Sequence, residues 1–290
     1  MLQIANPIYD VVFKYLMDDN KVAKLLLSAI IGEDIVALEY RPTEMKSDMA
    51  VKTVTVYHID FSAKIRAIDG SEKLVIIEIQ KAKLATDIMR FRKYLGAQYS
   101  NPDNVQTCNE TSAVYKKAIP IISIYFLGHK LDHIKVPVIK VQRDYIDLST
   151  GSTIYEKEYF IESLTHDSFI IQIPFLKNNR KTDLLKVLSI FDQSNREEDF
   201  HILNVNEIEF PEKYRDIIRR LQQANCNSEI RQQMSVEDIY IEDYRQTERH
   251  IEMMKKSLED KDKLIEDKDK LIKDKDMLIE ELKKQLNKNL

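Results

Sequence analysis

A chain of 290 residues, 43% of them hydrophobic, can bury one large core or two modest ones, which excludes a disordered polymer. Its 44 Lys and Arg against 48 Asp and Glu give a net charge of −4, so bulk electrostatic coating of nucleic acid is excluded and any such contact has to be local. Cys108 and Cys226 stand far apart without ligand-like spacing, which argues against a disulfide framework or a thiolate zinc site.

The start, MLQIANPIYDVVFKYL, has no basic lead before a long apolar run, and no stretch reaches the ~20 apolar residues of a membrane span. A cytoplasmic protein without a membrane partner is expected. Asn6-Pro7 reads as an N-cap with proline at the first helical position, and Tyr9, Val12, Phe13 and Leu16 recur at helical spacing, so a helix is expected to about Met17. The same pattern from Lys21 to Ile31 meets Gly32, a natural stop. A short strand over 35–40 and a long one over 53–67 follow, then a strand in LVIIEIQKAK (74–83). Residues 84–99 turn helical and end at Asn101-Pro102. Strands are expected at 119–127, within 135–146 and at 169–175, and Thr182 opens a helix through about Phe191.

Residues 258–282 repeat as LEDKDKL, IEDKDKL, IKDKDML, IEELKKQL, with Leu264-Ile265, Leu271-Ile272 and Leu278-Ile279 seven apart. With Ile251, Leu258, Ile265, Ile272, Ile279 and Leu286 at heptad a positions, d falls on Met254, Lys261, Lys268, Lys275 and Leu282. A homo-oligomeric coiled coil is expected, against the plainer reading of a single charged helix.

Two polar residues break the apolar run that starts at Leu74: Glu78 inside it and Gln80 just after Ile79. Burying an unpaired carboxylate costs several kcal/mol, so Glu78 calls for a partner. Alternation in 55–67 puts His58, Asp60, Ser62, Lys64 and Arg66 on one face and Phe61, Ala63 and Ile65 on the other. If Ile68-Asp69-Gly70 is a three-residue hairpin loop with Gly70 left-handed, Ala67 pairs with Ser71, Arg66 with Glu72, and Asp60 falls opposite Glu78. A two-residue turn would send Asp60 to the other face. Opposed carboxylates with Cβ atoms ~5 Å apart repel unless a cation lies between them. Two carboxylates and an amide oxygen suit Mg²⁺, with Mn²⁺ as a substitute, and Gln80 could hold an attacking water or a phosphate oxygen. A structural pair of protonated or arginine-bound carboxylates is the competing reading. His129 and His133 have i, i+4 spacing but lie in a loop-like stretch and read as a surface pair.

NPIYDVVFKYLM, HIDFSAKI, KLVIIEIQKAK, RFRKYLGAQYS and IPFLKNNRKTDLLKVLSIFD, in that order, resemble the PD-(D/E)xK nuclease superfamily. Within it they are most similar to the Rpn-type recombination-promoting nucleases, also called PD-(D/E)xK family transposases. The likeness covers roughly residues 5–195. It implies a restriction-endonuclease-like α/β core, a mixed sheet flanked by helices, over 1–180. A helical region packed on the core (181–247) and a coiled coil (248–290) would follow. The resemblance also implies Mg²⁺-dependent DNA cleavage leaving a 5′-phosphate, in recombination or mobile-element biology. Asp60 and Glu78 would be the metal-binding acids and Gln80 the third catalytic residue, standing where the wider superfamily has lysine. Asp10, Lys14 and Lys64 would be accessory. A local basic stretch, Lys81, Lys83, Arg90, Arg92 and Lys93, with Gln98, would contact DNA. The alternative from another class is a catalytically weak nuclease-like scaffold that acts as an oligomeric DNA- or protein-binding module.

Overall fold

The computed structural model describes residues 1–41, 44–45, 57–58, 61–80, 85–110, 113–177 and 179–288, in an α/β fold with a mixed six-stranded sheet and a long C-terminal helix. The chain opens with β1 (Leu2–Ala5), α1 (Asp10–Met17) and α2 (Asn20–Ile31). Next come β2 (Ile35–Tyr40), β3 (Phe61–Ala67), β4 (Glu72–Gln80) and α3 (Ala85–Ser100). A hairpin of β5 (Val105–Glu110) and β6 (Ala113–Ala118) leads to β7 (Ile121–Leu127) and β8 (Val138–Val141). The rest comprises α4 (Tyr159–Leu164), β9 (His166–Gln172), α5 (Asp183–Leu188), β10 (Ile202–Val205), α6 (Arg215–Cys226) and α7 (Ser228–Lys288).

The sheet runs β8-β9-β7-β4-β3-β2. Its middle strands β9, β7 and β4 are parallel, while β3, β2 and β8 add on antiparallel. Apolar runs such as IISIYFL suit parallel strands covered on both faces. On one face, Phe61, Ala63, Ile65, Val75, Ile77, Ile122, Ile124 and Phe126 join buried residues of α1, α2, α5 and α6 in the main core. On the other, Leu74, Ile76 and Ile121 meet Phe91, Tyr94 and Leu95 of α3 in a smaller cluster.

Several elements stand where the sequence placed them. Asp19 caps α2 by accepting from the backbone of Lys21 and Val22, and Gly32 closes it at φ 80°. Thr182 caps α5, accepting from Leu185 N at 3.2 Å. The start differs. Asn6-Pro7 is not the helix start, because residues 2–5 form a strand paired with β10 and the helix begins only at Asp10. Asn6 is instead a buried staple: its Nδ2 donates to Gln193 Oε1 (3.0 Å) and Phe200 O (2.9 Å), and its Oδ1 accepts from Gln193 Nε2 (3.0 Å). The β5–β6 hairpin was not foreseen either; its polar sequence hides the alternation. Of the strand expected over 53–67, the described parts are Tyr57–His58, paired with Glu44–Met45, and β3.

The chain divides into two compact units, Met1–Met234 and Ser235–Leu290. Residues 181–234 are woven into the first unit: α5, α6, Ile230 and Met234 share the main core with α1 and α2, and β10 pairs with β1.

Candidate metal and nucleic-acid site

The register of β3 on β4 decides whether a two-carboxylate site can exist. Arg66 pairs with Glu72, Lys64 with Leu74, Ser62 with Ile76 and Phe61 with Ile77, which is the three-residue-loop register. Gly70 takes φ 82°, its N–H donates to Ala67 O at 3.0 Å, and Ala67 N donates to Ser71 O at 2.9 Å. Asp69 locks the loop by accepting from Ser71 N (2.9 Å) and Ser71 Oγ (2.7 Å), bonds that hold its carboxyl below the usual range. The described register ends at Phe61 with Ile77. Asp60 lies outside the described residues, as do Lys81 and Lys83; for Glu78, Gln80 and Arg90 only the backbone is described.

Glu78 is the Cα partner of Tyr125 on β7, and Gln80 that of Leu127. Both therefore sit at the carboxyl ends of three parallel strands, the edge where open α/β sheets bind ligands. One residue pair back lies a row of small hydroxyls on the α3 face: Ser62, 1% exposed, and Ser123, 0% exposed, whose Oγ is 2.8 Å from Ser168 Oγ. Ser62 Oγ is buried without a hydrogen-bond partner among the described residues, an uncommon state for a core hydroxyl. Tyr125, packed at 4.3 Å between ring centroids on Phe91 of α3, walls the same side. The sequence reading put Ser62 on Asp60's face without weighing it. Tyr125 carried no local signal, since its place follows from a parallel pairing across some 45 residues.

The accessory residues are distributed differently from expectation. Lys64 gives its ammonium to Glu72 Oε2 at 3.0 Å, so Glu72 is bridged by Lys64 and not by its direct neighbour Arg66. Leu74, the Cα partner of Lys64, lies four residues before Glu78, about 13 Å along a strand, and the contact with Glu72 turns the Lys64 charge toward the hairpin end. Asp10 and Lys14 are half-buried on α1, whose apolar side packs in the main core, on the sheet face opposite α3. On α3, Arg92 and Lys93 are exposed. Gln98 is half-buried, and its backbone and side-chain oxygens both accept from Asn104 Nδ2 at 2.9 Å, which ties off the end of the helix. His129 and His133 lie in the loop before β8. Among the described side chains no three His, Cys, Asp or Glu gather as metal ligands.

At the opposite, amino end of the parallel strands a polar network closes the sheet. Arg143 Nη2 meets Glu162 Oε2 at 2.8 Å and its Nε donates to Asp167 Oδ1 at 3.1 Å, while Tyr99 OH and His166 Nδ1 are 2.9 Å apart. Burial pushes the His166 imidazole down, Arg143 adds to this and Asp167 opposes it. The chain matches no family model, no curated protein and no solved structure. The fold and site define an α/β protein with a carboxylate-bearing strand edge. No helix of its described residues is long and apolar enough to cross a membrane.

Proposed function

We propose that this chain is a Mg²⁺-dependent DNA endonuclease of the PD-(D/E)xK, Rpn-like kind, acting in recombination or mobile-element biology. The observation that carries the reading is the described β3–β4 register together with Glu78 at the carboxyl edge of the parallel strands; carried on by one pair, that register would bring Asp60 opposite Glu78. Asp60, Glu78 and Gln80 offer only hard oxygen donors besides an amide N–H₂, a set that fits Mg²⁺ or Mn²⁺. The buried, unpartnered Ser62 hydroxyl one row away supports a polar centre there rather than a closed apolar core. When bound, the cation supplies charge neutralisation at the phosphate and a more acidic water.

The protein's own residues do the rest of the work. Asp60 and Glu78 would hold the cation. The Gln80 amide orients the attacking water for in-line displacement, leaving a 5′-phosphate; it brings no positive charge, so turnover is slower than with lysine there. Arg92 and Lys93 line the approach of the DNA backbone, with Arg90, Lys81 and Lys83 extending the basic stretch. The test is conversion of supercoiled plasmid to nicked and linear forms in Mg²⁺, for the wild type and Asp60→Ala. Cleavage by the first and none by the second is expected. Equal activity in both, or none in either, refutes the reading.

The second reading, a catalytically weak scaffold acting as an oligomeric DNA- or protein-binding module, draws on the apolar residues left exposed along α7. It expects binding without cleavage and self-association through the heptads.

A further inference from the structure

The Ser235–Leu290 unit exposes a long apolar stripe. Ile251, Met254, Leu258, Leu264, Ile265, Leu271, Ile272, Leu278 and Ile279 are each between 44% and 60% exposed along the described helix. Lys261, Lys268 and Lys275, at the heptad d positions, fall along the middle of that stripe, with the leucines of one column and the isoleucines of the other on either side.

Resting on the self-association reading, we propose that the partner of this stripe is a second copy of the same segment, and that the two run antiparallel. The lysines decide the direction. In a parallel, in-register pair Lys261, Lys268 and Lys275 would each face its own copy across the seam, three successive layers of like charge taken partly out of water. In an antiparallel pair a positions face d positions. Setting Ile265 against Lys268 of the second copy then sets Ile272 against Lys261, Leu258 against Lys275 and Ile279 against Met254. No layer holds two lysines, and each ammonium reaches solvent while its stem covers the opposing aliphatic side chain. Read against its own reverse, the order of a and d residues from 251 to 282 thus sets every lysine opposite an aliphatic residue, in a two-fold isologous contact. The lysines act as a negative-design element that rejects the parallel pairing.

The test uses the full chain with Cys108→Ser and Cys226→Ser, carrying either Met254→Cys or Ile279→Cys. Light scattering should give a dimer mass. Mild oxidation of the mixed variants should give the 254–279 disulfide at least tenfold faster than either variant alone gives its own disulfide. A second variant, Lys261→Leu with Lys268→Leu and Lys275→Leu, should reverse this and make the Ile279→Cys chain cross-link to itself. A dimer mass with rapid self-cross-linking of unmodified-lysine Ile279→Cys overturns the antiparallel arrangement and leaves self-association standing. A trimer or tetramer mass does the same. A monomer mass overturns both. An unchanged cross-linking pattern in the triple-leucine variant overturns the role of the lysines.

Discussion

The two faces of the central sheet are built to different ends. One is a continuous apolar layer in which β3, β4 and β7 meet four helices, from Phe13 and Leu16 of α1 to Ile218 and Leu221 of α6. The other is covered by α3 through a short set of contacts, and there Ile76 lies between the hydroxyls of Ser62 and Ser123, one row before Glu78. Neighbours on one strand therefore belong to different faces: Ile77 is 0% exposed in the main core, and Glu78, assigned a metal-binding role in the proposed function, is the next residue along. The difference teaches that stability can be concentrated on one face of a sheet so that the other is free to hold groups that weaken a fold.

That division can be broken experimentally, beginning with the largest effect. Glu78→Gln should lower plasmid cleavage by about 10³-fold or more, the order expected for losing a principal charge-stabilising group. Its melting temperature in EDTA should hold or rise, because one of two repelling carboxylates has gone, and the extra stabilisation by Mg²⁺ should disappear. Ile77→Ala, one residue away, should cost about 2–5 kcal/mol in denaturant unfolding while the folded fraction keeps its cleavage rate. If the two variants behave alike, the faces are not separate in function.

Smaller effects sharpen the same contrast. Gly70→Ala should cost about 1–2 kcal/mol, since the residue sits at φ 82° with open space around it and only backbone strain opposes a side chain. Ser62→Ala should change stability by about 1 kcal/mol or less, as the lost hydroxyl makes no hydrogen bond, in contrast to Ser123→Ala, which strands Ser168. The pH term is the smallest. His166 is depressed in the folded protein, so the unfolded chain takes up its proton first, near about 6.5. The contribution is complete above that value and is lost as the pH falls; His166→Gln should flatten the acid side of a melting-temperature profile.

How much was legible in the sequence depended on the range of the interaction. Asp19, Gly32, Gly70 and Thr182 act within a few residues, and the elements they bound could be read directly. The β3–β4 register was also readable, because Gly70 and the alternation of Phe61, Ala63 and Ile65 favour the three-residue loop over a two-residue turn. What escaped was long-range: β1 pairs with β10 across some 200 residues, so Leu2–Ala5 looked like a prelude to a helix. The partner of Glu72 escaped for another reason. Register fixes the Cα neighbour, Arg66, but the flexible Lys64 side chain reaches it diagonally. In the candidate site the acids stood out as charges in an apolar run, whereas Ser62 and Tyr125 are ordinary residues whose importance lies only in what surrounds them.

The three-residue loop at 68–70 is in effect a phase setter. Most replacements of Ile68 or Asp69 would leave strand pairing as it is, whereas a change of loop length that moved β3 by one residue against β4 would turn its faces over. Phe61, Ala63 and Ile65 would then exchange sides with Ser62 and Lys64, emptying the main core and separating residue 60 from Glu78 in a single event. Both the fold and the proposed chemistry thus depend on the length of this loop far more than on its composition. A library of insertions and deletions would expose that dependence where a library of substitutions would pass over it.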